Sequence, residues 1–319
     1  MQPPVLPAQP LIAAILGPTG SGKTNLALDT AQLFDGELVG CDSVQIYRHF
    51  NLGTAKTPPS KRRGIPHHLI DAIDPDRIFT AGEYARDGRA ALAGITSRGK
   101  LPVVVGGTGF YLRALLEGLF PGPVRDEGLR ERLGRIEAQR SGFLHRLLRR
   151  LDKSTAARIH PNDANKLTRA IEVSLVGRRP MSQQFEAGRD PLTGYRVLKI
   201  GLAPQRALLN QRLDERLARM FEGGLIDEIR GILALGYPPS AKPFESLGYK
   251  EGLAVVEGRM TPEEALAAAQ LATRQYAKRQ MTWFRREKDV TWFEGFGEDS
   301  SVKAKTLNLI KNSPTDSTT

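Results

Sequence analysis

The stretch "LIAAILGPTGSGKT", residues 11–24, decides the architecture. Its first six residues are an unbroken apolar run, the pattern of a strand buried on both faces. The next eight match G-x-x-x-x-G-K-T. Glycines at 17, 20 and 22 let the backbone turn tightly and bring its N–H groups inward. The helix that follows points its positive end at a bound anion. Lys23 adds a point charge, and the Thr24 hydroxyl suits a magnesium ion. A plain glycine turn with Lys23 in solvent would not need all eight positions. The loop specifies phosphate, but not which phosphate.

Working outward, a helix is expected from about Thr24 to Phe34, then a strand at 37–41, "ELVGC", running into "DSVQIYR". "KLPVVVGGTGFYLRALLEGL", residues 100–119, reads as strand, turn and helix. Strands alternating with helices give an α/β fold, a P-loop NTPase-like parallel sheet flanked by helices. Such sheets bind ligands at the carboxyl ends of their strands, where all three turns fall. The texture changes after "FPGP", residues 120–123. "LRERLGRIEAQRSGFLHRLLRRLDKSTAARIH" and "NKLTRAIEVSLVG" are helical and rich in arginine, and "RVLKIGLAP" then resumes the strand pattern. The expected organisation is a core of residues 11–122 and 196–296, an all-helical insertion at 123–195, and flexible tails at 1–10 and 297–319.

The chain has 319 residues, 40% of them hydrophobic, enough for a real core, and no apolar run of the ~20 residues a membrane helix requires. The proline-rich start "MQPPVLPAQP" has no positive charge and does not read as a signal peptide. One cysteine, Cys41, excludes an intramolecular disulfide and a cysteine-rich zinc site, which points to the cytoplasm. A net charge of +11 suits a polyanionic partner, although a solvated basic face would give the same count.

Nucleotide hydrolases usually end a neighbouring strand in an Asp that helps hold magnesium. Here "PVVVGG" ends in glycine, and no N-K-x-D guanine signature occurs, which argues against a GTPase switch. The first acidic residue at a strand end is Asp42. Its carboxylate could hold magnesium or take a proton from a substrate, or simply cap a turn or helix.

Together, "GPTGSGKT", "DSVQIYR", "GTAK", "PHHLID", "VVVGGTGFYLRALLEG", "HPNDANKLTRAIEV", "SLGYKE" and "TRQYAKRQMTWFR" resemble the tRNA dimethylallyltransferases, also called tRNA isopentenyltransferases, collinearly from residue 17 to 285. The resemblance implies transfer of a dimethylallyl group from its diphosphate to N6 of the adenosine immediately 3′ of the anticodon, in tRNAs reading codons that begin with U. The partners implied are dimethylallyl diphosphate and the tRNA anticodon stem-loop, with Mg2+ as cofactor, no membrane and no obligate protein partner, the protein being a monomer. The loop would then hold the donor's diphosphate, which accounts for the missing Asp, since no γ-phosphate is hydrolysed. A nucleotide-dependent small-molecule kinase and a non-catalytic RNA-binding regulator are the rival readings.

By the same resemblance, Asp42 is the general base for the N6 proton, and Gly17, Pro18, Thr19, Gly20, Ser21, Gly22, Lys23 and Thr24 with Arg216 hold the diphosphate, Thr24 carrying the magnesium. Arg216 sits with Arg212 and Arg219 on one expected helix. The flipped adenine and its neighbours would be met by Asp42, Ser43, Val44, Gln45 and Thr108. Further tRNA contacts are implied at Arg130, at Asn165, Lys166, Leu167, Thr168 and Arg169, at Gly248 and Tyr249, and at Arg274, Lys278, Arg279 and Arg285. Lys166 stands where the family usually has Arg, which removes the planar fork but keeps a cation for phosphate. His67, His68 and Cys41 are expected to be structural.

Overall fold

A computed structural model describes residues 9–185 and 188–313. Among them the order is β1 (Leu11–Leu16), α1 (Lys23–Leu33), β2 (Gly36–Gly40), β3 (His67–His68), α2 (Ala81–Ser97), β4 (Leu101–Val105), α3 (Gly109–Glu117), α4 (Glu127–Gln139), α5 (Phe143–Leu151), α6 (Lys153–Arg158), α7 (Ala164–Val176), α8 (Met181–Phe185), β5 (Arg196–Leu202), α9 (Arg206–Glu222), α10 (Leu225–Ala234), α11 (Tyr249–Val256), α12 (Pro262–Phe284), β6 (Val290–Phe293) and α13 (Ser300–Lys311). Contacts divide the chain into two units. One is formed by the residues up to Leu115 with those from Thr193 onward, the other by Leu116–Leu192. The helical segment thus begins seven residues earlier and ends three earlier than the 123–195 read from sequence, because Leu192 N donates to the Leu116 carbonyl at 2.8 Å and closes the unit there.

The first unit is built on one parallel sheet in the order β3-β2-β4-β1-β5-β6. β1 lies inside it, Ala13 opposite Val103 of β4 and Leu198 of β5. A strand with neighbours on both sides and helices on both faces has no wet face, so "LIAAIL" carries no polar residue. Leu26, Ala27 and Ala31 of α1 pack with Ile15, Val103 and Ile200 in the principal core. Each fully buried aliphatic side chain of this kind contributes about 1.5–3 kcal/mol.

The expected C-terminal tail is a correction. Residues 300–311 form α13, whose Val302, Thr306 and Ile310 are buried, Val302 and Ile310 in the same core as β1. Their four-residue spacing places one apolar stripe against the sheet. The tail expected at the other end falls mostly outside the described residues, as do residues 314–319. At Pro10 the chain is already tied, its carbonyl accepting from Arg196 N at 3.0 Å.

The second unit packs α4–α8 around Leu133, Leu144, Leu148, Leu167 and Ile171. Its interior also holds a carboxylate. Glu172, fully buried, receives Arg130 Nε and Nη2 at 2.7 and 2.8 Å and Arg169 Nη1 at 2.5 Å. Burial alone would raise the Glu172 carboxyl; the two guanidinium groups hold it down at about 2.

Candidate active site

The phosphate loop leaves β1 and wraps into α1, whose N-cap, Gly22, has φ 84°, a left-handed conformation that favours glycine. Lys23 is buried, and its Nζ donates to the Pro18 carbonyl at 2.6 Å. Burial pulls its ammonium down to about 7, with Asp42 acting against that shift and Arg216 adding to it. Among the described residues the Ser21 hydroxyl and Nε of Arg216 are buried without a partner, and buried donors left unpaired are costly. Arg216 lines a cavity together with Thr19, Gly20, Gly22, Lys23, Thr24 and Asp42.

Arg216 reaches this cavity from α9. Its Nη2 donates to Thr19 Oγ1 at 2.8 Å. Burial lowers the guanidinium to about 10, and Arg212 and Arg219 push in the same direction. Such a cation gains most from a dianion placed against it.

Asp42 lies two residues past β2, at the carboxyl end of the sheet. Both readings of it are compatible with the geometry. Oδ1 accepts from Val44 N at 2.8 Å and Gln45 N at 3.1 Å, which fixes the turn. Among the described residues Oδ2 receives no hydrogen bond and is left to the cavity. Ser43 N donates to Thr108 Oγ1 at 3.1 Å, and Thr108 N to the Cys41 carbonyl at 3.2 Å, so the turns after β2 and β4 are sewn together. Gln45 is held through Nε2 on the Thr54 carbonyl at 2.9 Å. Burial pushes the Cys41 thiol up to about 12, which keeps it unreactive.

A second cavity shares Thr19, Asp42, Thr54, Arg216 and Tyr276 with the first. Its other lining includes Val44, Leu217, Met220 and Leu247, so it is more apolar in character. Asp42 and Arg216 stand where the cavity at the glycine loop meets the more apolar one.

Sequence reasoning missed Gln280. This α12 side chain is buried, its Oε1 accepting from Thr19 N at 2.8 Å and its Nε2 donating to the Gly107 carbonyl at 2.8 Å. It therefore joins the phosphate loop to the turn after β4, and a β-carbon at Gly107 would overlap the Gln280 amide as it is placed. The only available signal was its place on the inward face with Thr273, Ala277 and Phe284. His67 and His68 also line the first cavity; His68 Nε2 lies 2.7 Å from Glu37 Oε2.

The residues expected at the RNA surface divide. Lys278, Arg279 and Arg285 are exposed on or beside α12, Arg279 lying over the Tyr276 ring. Asn165 and Lys166 are exposed at the start of α7, where Lys166 pairs with Asp163, and Thr168 is half-buried. Others are not at the surface. Leu167 belongs to the helical core. Gly248 is the buried N-cap of α11, its N–H taken by Glu251 Oε2 at 2.8 Å. Tyr249 is fully buried against Phe50, and its hydroxyl bonds the Glu228 carboxylate. An aromatic ring at that depth stabilises the fold and cannot meet a nucleotide. Arg130 and Arg169 are spent on Glu172, and Arg274 on Asp214 of α9 at 2.6 and 2.7 Å.

For magnesium, no group of three or more His, Cys, Asp or Glu side chains is placed to hold a metal among the described residues. Thr24 and Asp42 nevertheless line one cavity together with Lys23 and Arg216. Magnesium carried chiefly by phosphate oxygens needs only one or two protein ligands, so this donor set fits an ion that arrives with a diphosphate. No helix among the described residues is long and apolar enough to cross a membrane.

Comparison with known proteins agrees with this geometry. Residues 45–287 match the family described as IPP transferase. The tRNA dimethylallyltransferase of Solibacter usitatus is 57% identical over 299 residues, covering 94% of this chain and 97% of that one. The crystal structure of the full-length tRNA isopentenylpyrophosphate transferase of Bacillus halodurans matches at 35% identity with a TM-score of 0.70, covering 95% of this chain and 96% of that one. A eukaryotic dimethylallyltransferase acting on tRNA matches at 27% identity with a TM-score of 0.79, covering 96% and 80%. With matches of this identity and extent, the chain belongs to the tRNA dimethylallyltransferases, enzymes of the prenyltransferase type.

Proposed function

We propose that the protein, acting as a monomer, transfers the dimethylallyl group of dimethylallyl diphosphate to N6 of the adenosine immediately 3′ of the anticodon, in tRNAs reading codons beginning with U. The observation that carries this is the junction of the two cavities at Thr19, Asp42 and Arg216. A phosphate chamber opening onto a more apolar one suits a diphosphate bearing a short hydrocarbon, with the reacting carbon at the junction.

The exocyclic amine of adenine is a weak nucleophile because its lone pair is delocalised into the ring. The step forms a bond from N6 to C1 of the donor and breaks the bond from C1 to the diphosphate oxygen. Charge therefore builds on the leaving oxygen, and the loop amides, Lys23 and Arg216 would meet it. Thr24 would hold a magnesium ion, which would supply further positive charge for the departing diphosphate. Asp42 Oδ2 would take the N6 proton, while Oδ1 stays fixed by the Val44 and Gln45 amides. A base anchored by one oxygen keeps its other oxygen aimed without further loss of entropy.

For RNA, exposed Lys278, Arg279 and Arg285 would supply phosphate contacts, with Ser43, Val44 and Thr108 close to the extruded base. Asn165, Lys166 and Thr168 would serve the same purpose on the helical unit. Two measurements test the reading. Dimethylallyl diphosphate, and not ATP, should give the larger rise in melting temperature. A single-turnover reaction should transfer labelled dimethylallyl to unmodified tRNA; ATP-dependent phosphorylation of a small molecule would favour a kinase instead.

A further inference from the structure

The segment after β6 lies across the rim of the phosphate loop. Gly297 N donates to the Ser21 carbonyl at 2.9 Å, and the Glu298 carboxylate rests against Gly22, where a β-carbon would overlap it. Glu298 Oε1 accepts from Asn25 Nδ2 at 2.9 Å and from Arg212 Nη2 at 2.8 Å; Oε2 accepts from Arg212 Nη1 at 3.2 Å. Arg212 is itself held over the Phe296 ring, 4.7 Å from its centroid. Burial of Glu298 favours its neutral form, but the Arg212 fork outweighs this and keeps the carboxyl below its ordinary range.

An exposed carboxylate on the lining of a cavity that also has Lys23, Arg212 and Arg216 weakens binding of any anion, so its position needs a reason. Asp42, Thr19 and Arg216 belong to both cavities, whereas Asn25, Arg212 and Glu298 line only the phosphate chamber. A donor whose leaving oxygen faces the junction and whose terminal phosphate lies over the start of α1 would turn that phosphate toward Glu298, which sits against Gly22 and Asn25. We infer that Glu298 is a specificity-determining residue that limits the loop to diphosphate-length ligands, by setting a fixed negative charge where a third phosphate would lie. This rests on the donor reading above. The pairing with Arg212 offsets part of the repulsion on the second phosphate, while a longer polyanion would meet the carboxylate itself, held on Asn25 and Arg212. Rejection by a placed like charge is one of the two ways a site gains selectivity.

The probes are inorganic diphosphate and inorganic tripolyphosphate, each with magnesium, titrated calorimetrically into the full-length protein, Glu298→Gln and Glu298→Asp. The parent should prefer diphosphate. Glu298→Gln keeps the shape but removes the charge, and should improve tripolyphosphate relative to diphosphate by roughly tenfold, about 1.4 kcal/mol. Glu298→Asp should retain the preference. Melting temperatures report whether each variant folds, and Glu298→Ser reads the same ratio if the amide does not. Equal gains for both anions, or no change in their ratio, would overturn the inference. A parent that binds no diphosphate at all would overturn the donor reading first, and this inference with it.

Discussion

Replacing Gln280 by alanine removes a side chain that joins the phosphate loop to the turn after β4. Two partners are stranded, Thr19 N and the Gly107 carbonyl. A buried polar group left unpaired costs about 1–3 kcal/mol. Thr19 and Gly107 both line the cavity, where water can reach them. The lower end therefore applies to each, about 2 kcal/mol together. Gln280→Met separates polarity from packing, because it keeps most of the volume and loses both hydrogen bonds. The effect should also reach the donor, since Thr19 carries the hydroxyl that receives Arg216. Urea unfolding followed by circular dichroism measures the stability, and steady-state kinetics with varied donor measures KM. Both variants should be destabilised and should show a raised KM for dimethylallyl diphosphate, with tRNA affinity little changed. Parent-like stability and KM in Gln280→Met would refute the idea that the amide positions the loop.

Asp42→Ala should lower the single-turnover rate by ~10²–10⁴-fold, a range typical of a lost general base, with tRNA affinity nearly intact; a near-normal rate removes Asp42 from the chemistry. Lys23 has its ammonium lowered to about 7, so the unfolded chain binds the extra proton between that value and 10.5. Its burial cost is thus greatest below pH 7 and fades as pH rises through that window. Diphosphate should restore the charge, so binding near pH 8 should take up a proton, seen as a buffer-dependent calorimetric heat that Lys23→Met abolishes. Glu172, held at about 2, contributes stability above its ordinary value of 4.5 that is lost as pH falls from 4.5 toward 2; Glu172→Gln should flatten acid unfolding in that range. Affinity for tRNA should fall with salt, and Lys278→Ala and Arg285→Ala should each reduce the log–log slope by about one if each meets a phosphate; an unchanged slope in both would detach α12 from the RNA.

What the sequence made legible was what local geometry dictates. The phosphate loop needs glycine at positions fixed relative to one another, and no distant partner alters that need. The strand at 11–16 was legible because a strand with covered faces has no polar residue to disguise it. Burial of single polar side chains was not legible. Glu172 three residues from Arg169 looks like an ordinary surface pair on a helix, and only the approach of Arg130 on α4 makes it an interior ion triad. "SLGYKE" belongs to the family pattern, yet Tyr249 sits under Phe50 and Glu228, so a recurring string need not be a ligand contact. Gln280 was hidden in the same way, among the cations of its own helix. The C-terminal helix could have been found from Val302, Thr306 and Ile310, whose spacing is helical; the lysines between them gave it the texture of a tail.

The placement of β5 constrains the order in which the molecule can be made. β1 hydrogen-bonds to β5 along its whole length, Leu11 through Leu16 opposite Arg196 through Gly201. During synthesis, the phosphate loop leaves the ribosome well before β5, which appears only after the helical unit Leu116–Leu192 has been completed. That unit is contiguous in sequence and can fold while β1 still has one open edge. An apolar strand with unpaired backbone groups is a template for aggregation. A chain stalled before Arg196 would therefore pair a finished helical body with an adhesive half-sheet. Ribosome-bound fragments ending on either side of residues 196–202 should differ sharply in solubility.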